Sequence, residues 1–173
     1  MTARYELEYD DADLGAALTR LVERLRHPKR ALDEIGAQLV SSTRLRFVTQ
    51  SAPDGAPWKP SARARRQGGQ TLSDTGRLRR SITARVTPRG LQVGTNVAYA
   101  APHQFGAEIP ARTIRARFAQ ALAFPGRGGR TIFRKSVRHP GSTIPARPFL
   151  GLSAEDERDI RRIVGRWLGE AAR

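Results

Sequence analysis

Apolar residues recur at helical intervals in three places along the chain. Leu14, Ala17, Leu18, Leu21, Val22 and Leu25 form one stripe, with Arg20, Glu23, Arg24 and Arg26 outside it. Pro28 interrupts the pattern and suits the first turn of a second helix. There Leu32, Ile35, Leu39, Val40, Thr43 and Phe47 continue the period to about Thr49. Near the end, Ile160, Ile163, Val164, Trp167 and Leu168 make a third stripe. Ser153 and Asp156 precede it as an acidic variant of the capping box. Asp13 is the expected cap of the first helix, and Ser73 or Asp74 that of a short helix running to Arg80. The first two helices are expected as an antiparallel pair, or one bent helix, laid on a sheet.

Alternation marks the strands. Tyr5-Glu6-Leu7-Glu8-Tyr9 reads as a short strand with one apolar face. Ile82, Ala84 and Val86 alternate with polar residues, Pro88-Arg89-Gly90 turns, and Leu91, Val93 and Thr95 alternate again, which predicts a β-hairpin. Residues 97–104 read as a short helical or turn segment closed by Gly106. A longer hairpin is expected over residues 113–143, with residues 125–130 as its glycine-rich turn. Ile109-Pro110-Ala111-Arg112 before it and Ile144-Pro145-Ala146-Arg147 after it are near-duplicates, too short for a structural repeat. These elements predict an α+β fold: an antiparallel sheet with two long hairpins, packed against N- and C-terminal amphipathic helices.

Between helix and hairpin the character changes. Pro53, Gly55, Pro57 and Pro60 exclude regular structure, and Trp58 is the one large aromatic of the segment. Two readings stay open. Residues 51–71 form a flexible arm with Trp58 as its anchor on a neighbour, or a loop with Trp58 plugged into its own core. At 173 residues the chain is expected to be a single domain, residues 1–173.

Charge narrows the function. There are 31 Lys and Arg against 16 Asp and Glu, a formal net charge of +15. Between Asp74 and Glu155 the one carboxylate is Glu108. Such a surface calls for a polyanionic neighbour: nucleic acid, an acidic protein face or anionic lipid. No apolar run approaches the ~20 residues that span a bilayer, so no membrane partner is expected. The acidic start of the chain reads as neither a signal peptide nor a lipidation site.

Catalytic chemistry finds little support. The chain has no cysteine, and His27, His103 and His139 are isolated without metal-ligand spacing. Ser73, Asp74 and His103 make a serine–histidine–aspartate trio on paper, without a nucleophile elbow. The glycine-rich turn lacks the Gly-Lys-Ser/Thr of a phosphate loop. The expectation is a non-enzymatic protein with no metal and no cofactor.

Three groups of residues then carry a resemblance. They are Leu72-Ser73-Asp74-Thr75-Gly76-Arg77-Leu78 with Ser81-Ile82; Val93-Gly94-Thr95-Asn96 with Tyr99-Ala100 and His103-Gln104-Phe105-Gly106; and Ile144-Pro145-Ala146-Arg147-Pro148-Phe149-Leu150-Gly151-Leu152. With Ser51-Ala52-Pro53-Asp54-Gly55 and Trp58, they resemble the phage virion morphogenesis family, the tail-completion proteins of Mu-like phages and prophages. Val137-Arg138-His139-Pro140-Gly141 is similar to the related minor tail and neck proteins of long-tailed phages. The resemblance covers residues 30–165, in order.

The resemblance implies a structural virion protein at the head–tail junction, acting as tail terminator or neck connector. It implies a homo-oligomeric ring, usually a hexamer, joined to other phage neck, connector and tail-tube proteins and assembled in the host cytoplasm. The residues expected at a subunit or partner interface are Trp58, Phe124, Arg127, Arg130, Phe133, Arg147 and Phe149. Those expected to face packaged DNA or an acidic partner are Arg63, Arg65, Arg66, Arg77, Arg79 and Arg80. The alternative reading is a basic nucleic-acid-binding module without catalysis; a weaker third is a nuclease or peptidase dependent on His103.

Overall fold

The computed structural model describes residues 12–117 and 119–170. The strand expected at residues 5–9 lies outside them. The contacts divide the described residues into two compact units, one made of residues up to 97 together with those from 149 on, the other lying within Ala98–Pro148.

The first unit is built on its second helix. The helices α1 (Ala12–Arg26) and α2 (Lys29–Thr49) meet at Pro28, which caps α2 rather than sitting in its first turn. The first helix already runs from Ala12, so Asp13 lies inside its first turn and is not its cap. The short helices α3 (Ala62–Gln67) and α4 (Arg77–Arg80) precede the hairpin of β1 (Thr83–Thr87) and β2 (Gly90–Gly94). Its two-residue turn pairs Thr87 with Gly90. Two faces of α2 are covered. The β1–β2 hairpin takes one, so closely that a Cβ on Gly36 would stand 2.9 Å from Ala84 Cβ. The other is taken by the last helix, α6 (Ala154–Gly169), running antiparallel. Gln38 Nε2 donates to Asp159 at 2.5 Å, and Arg166 pairs with Glu34. The buried apolar residues include Ile35, Phe47, Trp58, Leu78, Ile82, Phe149 and Ile163.

The expected stripe on α6 is the one that faces inward, with Ile163 5% exposed. The stripe on α1 does not. Leu14, Leu18, Val22 and Leu25 stand about half exposed, while the hairpin and α6 cover two faces of α2. The capping box forms: Ser153 Oγ accepts from Asp156 N, and Asp156 accepts from Ser153 N.

Residues 51–71, read as either a flexible arm or a loop on the core, are hydrogen-bonded back on themselves. Gln50 takes a left-handed conformation (φ 58°) that ends α2. Its side chain then clamps residue 71: Oε1 accepts from Thr71 N at 2.6 Å, and Nε2 donates to Thr71 O at 3.1 Å. Trp58 N donates to Gln50 O, and Ser61 N to Thr71 Oγ1. Proline density does not preclude a helix here: α3 begins right after Pro60, capped by Ser61 Oγ. The cap expected of Ser73 or Asp74 is absent from α4. Gly76 turns left-handed (φ 71°) just before that helix, and Thr75 Oγ1 accepts from Arg77 N instead.

The second unit holds α5 (Ala100–Phe105) and one long hairpin made of three antiparallel ladders. The strand β3 (Ala107–Ile109) pairs with β8 (Ser142–Ile144), β4 (Arg112–Arg115) with β7 (Ser136–His139), and β5 (Leu122–Pro125) with β6 (Thr131–Arg134). The first two ladders share one register. Pro110 and Pro140 stand at the break between them, where a residue without an N–H ends a ladder. Further out the register shifts. Six residues, 116–121, separate β4 from β5, whereas Lys135 alone separates β6 from β7. The near-duplicate Ile-Pro steps each close a strand, β3 at Ile109 and β8 at Ile144. Among the described residues, no helix is long and apolar enough to cross a membrane.

Candidate assembly interface

The most tightly determined group in the first unit is a buried ion pair. Arg46 Nη1 donates to the carbonyls of Phe149 and Gly151, both at 2.9 Å, and Nη2 donates to Asp156. Asp156 also accepts from Ser153 Oγ at 2.8 Å. Burial raises the Asp156 pKa, but hydrogen bonds from Ser42 and Ser153 and the charge of Arg46 outweigh it, leaving the net value lowered. The carboxylate therefore stays ionised, and a fully hydrogen-bonded pair fixes how the 149–152 segment lies on α2. Above it, Phe47 meets Trp58 edge-on and Phe149 at a tilt, each with ring centres 5.4 Å apart.

This geometry places two of the expected interface residues. Trp58 is 5% exposed and Phe149 0%. Both belong to the unit's own core, which decides the alternative left open for Trp58. They hold the surface up without forming it. Arg46 was missed by sequence reasoning, although it lies on the stripe of Thr43 and Phe47 where a charge needs a buried partner.

In the second unit Arg147 is also buried. Its N–H donates to His103 O at 2.7 Å. His103 lies 6.2 Å from Tyr99, ring centre to ring centre, in edge geometry. Burial first, and the Arg147 charge second, hold the His103 pKa below the usual histidine range. The ring is therefore neutral near pH 7. Two of the sequence groups, around residues 99–106 and 144–147, thus meet through one backbone hydrogen bond.

The hairpin is where the expected residues reach the surface. Phe133 is 65% exposed and Ile132 42%, while Phe124 is half-buried. Register divides them: Phe124 pairs with Ile132, whereas Phe133 pairs with Ala123. Phe124 and Phe133 therefore lie on opposite faces and cannot enter the same flat contact. Arg127 opens the 3₁₀ turn at the tip, and the exposed Arg130 follows it.

The six arginines assigned to an anionic partner divide likewise. Arg63, Arg65 and Arg66 lie on α3, and Arg77, Arg79 and Arg80 on α4. Arg63 Nη2 donates to Gln70 O at 2.6 Å, and Arg63 also faces Asp74. Arg80 Nη2 donates to Thr75 O at 2.9 Å. Arg65, Arg66 and Arg77 are exposed. Among the described residues, no group of three or more His, Cys, Asp or Glu is placed to hold a metal ion.

The phage virion morphogenesis family matches residues 9–169. The chain belongs to that family. Among curated relatives, the Mu-like prophage FluMu G protein 2 of Haemophilus influenzae is 31% identical over 156 residues, covering 90% of this chain and 89% of that protein. Tail completion protein S of Escherichia phage P2 is 30% identical over 152 residues, covering 85% and 89%. No solved structure matches the chain. For this member of the family, the sequence groups that carried the resemblance have a physical role. They supply Phe149 and Gly151 to the Arg46 cluster, and His103 and Arg147 to the root of the hairpin.

Proposed function

We propose that the protein is a structural, non-enzymatic component of the phage head–tail junction, completing the tail or joining it to the DNA-filled head. The reading is carried by the similarity, over most of both chains, to a protein named for tail completion. It works as a closed ring of identical copies, six in the simplest case, seated between neck or connector proteins and the tail tube. The hairpin is the element that meets a neighbour or the adjoining ring. It is cationic, its tip carries exposed Ile132 and Phe133, and a two-stranded ribbon is marginal on its own in water.

The test is deletion of the gene from its phage or prophage, followed by imaging of the particles. Full heads beside separate tails, or tails of irregular length, are expected. Normal joined virions would remove the junction role. A narrower variant deletes residues 125–130 and is expected to give a folded chain with unjoined particles. A second reading, contact with nucleic acid, rests on the exposed Arg65, Arg66 and Arg77. Binding that weakens steeply with salt and ignores sequence belongs to a ring lined by arginines. Sequence-selective binding by a monomer or dimer would favour the nucleic-acid module.

A further inference from the structure

The largest group of exposed apolar residues described in the first unit is on α1. Leu14, Leu18, Val22 and Leu25 are 55%, 53%, 48% and 53% exposed. Their spacing of four, four and three residues puts them on one side of the helix. Arg24 ties the far end of α1 to Glu170 at 2.7 Å, which leaves the stripe itself uncovered. A 15-residue helix is marginal in water without a surface to pack on.

A matching surface exists on the same unit. Leu45 and Val48 of α2 are 57% and 50% exposed. With Ser41, Arg44, Arg79 and Arg80 they line an open groove of about 660 Å³. Its lining is two apolar side chains, one serine and three arginines.

Charge decides what fits there. Two chains of net charge +15 repel each other wherever their cationic surfaces meet. One exception, besides the acidic first turn of α6, is the beginning of the chain. Residues 5–19 hold Glu6, Glu8, Asp10, Asp11 and Asp13 and no Lys or Arg. The acidic run leads directly into the apolar stripe of α1, and the groove in turn combines apolar side chains with arginines.

We propose that α1, with its acidic lead-in, docks in the Arg44–Leu45–Val48–Arg79–Arg80 groove of a second copy of the chain. Each copy then uses one arm and one groove, and leaves the other pair free. Such a head-to-tail contact repeats, and it ends in a ring when the rotation closes. This deepens the ring reading above by naming the contact between neighbours. Four half-exposed side chains on two grooved ones bury well under the ~800 Å² per partner of a stable interface. Each contact is therefore weak alone, and ring closure holds the assembly together.

The absence of native cysteine makes the test clean. V22C and V48C variants of the full chain, carrying different tags, are mixed at high concentration and mildly oxidised. Cross-linked dimers between the two variants are expected to exceed dimers of either variant alone. Adding L18E to the arm variant, or R79E and R80E to the groove variant, is expected to abolish them without changing the circular dichroism. A chain carrying V22C and V48C together is expected to give a ladder of oligomers. Dimers formed mainly by V22C with itself, an intrachain disulfide in place of the ladder, or no cross-link at all would each overturn the proposal. The particle phenotype separates this from the junction reading. Cross-linking with normal deletion virions keeps the arm and removes the junction; unjoined heads and tails without cross-linking do the reverse.

Discussion

The two units solve stability in different ways. The first buries a helix between a hairpin and a second helix, with three aromatic rings and an ion pair at its centre. The second, among its described residues, buries Ala100 and Arg147 and leaves the rest at least partly open to water. It also holds nine Lys and Arg against the single carboxylate Glu108. The centre of the first unit, around α2, is packed within the unit itself. On the proposed function, the cationic ribbon of the second unit gains order from the neighbour it docks on. On that proposal the folding residues and the contacting residues are largely separate sets, which makes them separable by mutation.

The largest effects on stability are expected in the first unit. Arg46→Ala strands Asp156 as a buried, unpaired carboxylate and should cost about 3–5 kcal/mol in chemical denaturation. Phe149→Ala, which empties the space beside Phe47, should cost a similar ~3–5 kcal/mol. Ile163→Asp belongs with them, since it buries a charge in the α2–α6 seam. An unchanged melting temperature for any of the three would break the contrast. Gly36→Leu is expected to cost less, about 1–3 kcal/mol, as the hairpin shifts away from α2.

Acid should part the two units by pH. The depressed His103 pKa means that the unfolded state takes up the proton first as pH falls. Stability of the second unit is therefore full above the ordinary histidine value of 6.5 and declines below it. Asp156 works in the same sense much lower, its contribution being lost as pH falls below the ordinary carboxylate value of 3.8 and through its own lowered pKa. Hydrogen exchange followed from pH 7 to 5 should show the hairpin root loosening while α2 holds. His103→Gln should remove that step. The smallest effect on stability, within about 0.5 kcal/mol, is expected of Phe133→Ser, because the ring is already in water. The same variant should nevertheless leave heads and tails unjoined. Fully infectious particles from it would show that the hairpin tip is not a contact.

Much of this was legible in the sequence where the cause is local. The periods of α2 and α6, the Pro88-Arg89-Gly90 turn and the Ser153–Asp156 box each depend on residues a few positions apart. What could not be read depends on distance or on backbone handedness. Arg46 meets Asp156 across more than a hundred positions, and nothing in either neighbourhood announces the other. Phe149 read as an interface anchor, and Trp58 as either an anchor or a core residue, until the fold set both on Phe47. The α3 helix has no apolar stripe and hides among prolines and glycines. The placement of Phe124 and Phe133 on opposite faces follows from the five extra residues on the outgoing limb of the hairpin, which composition does not reveal. The α1 stripe was found, but its periodicity says nothing about whether the apolar face meets its own chain or another.

The most direct test of this division is hydrogen exchange on the free chain and on the assembled particle. The backbone amides of α2 and α6 are expected to be strongly protected in both. Those of residues 112–139 are expected to exchange quickly in the free chain and to become protected on assembly. Protection of residues 112–139 in the free chain equal to that of α2 would contradict the claim that the hairpin is ordered by its partner.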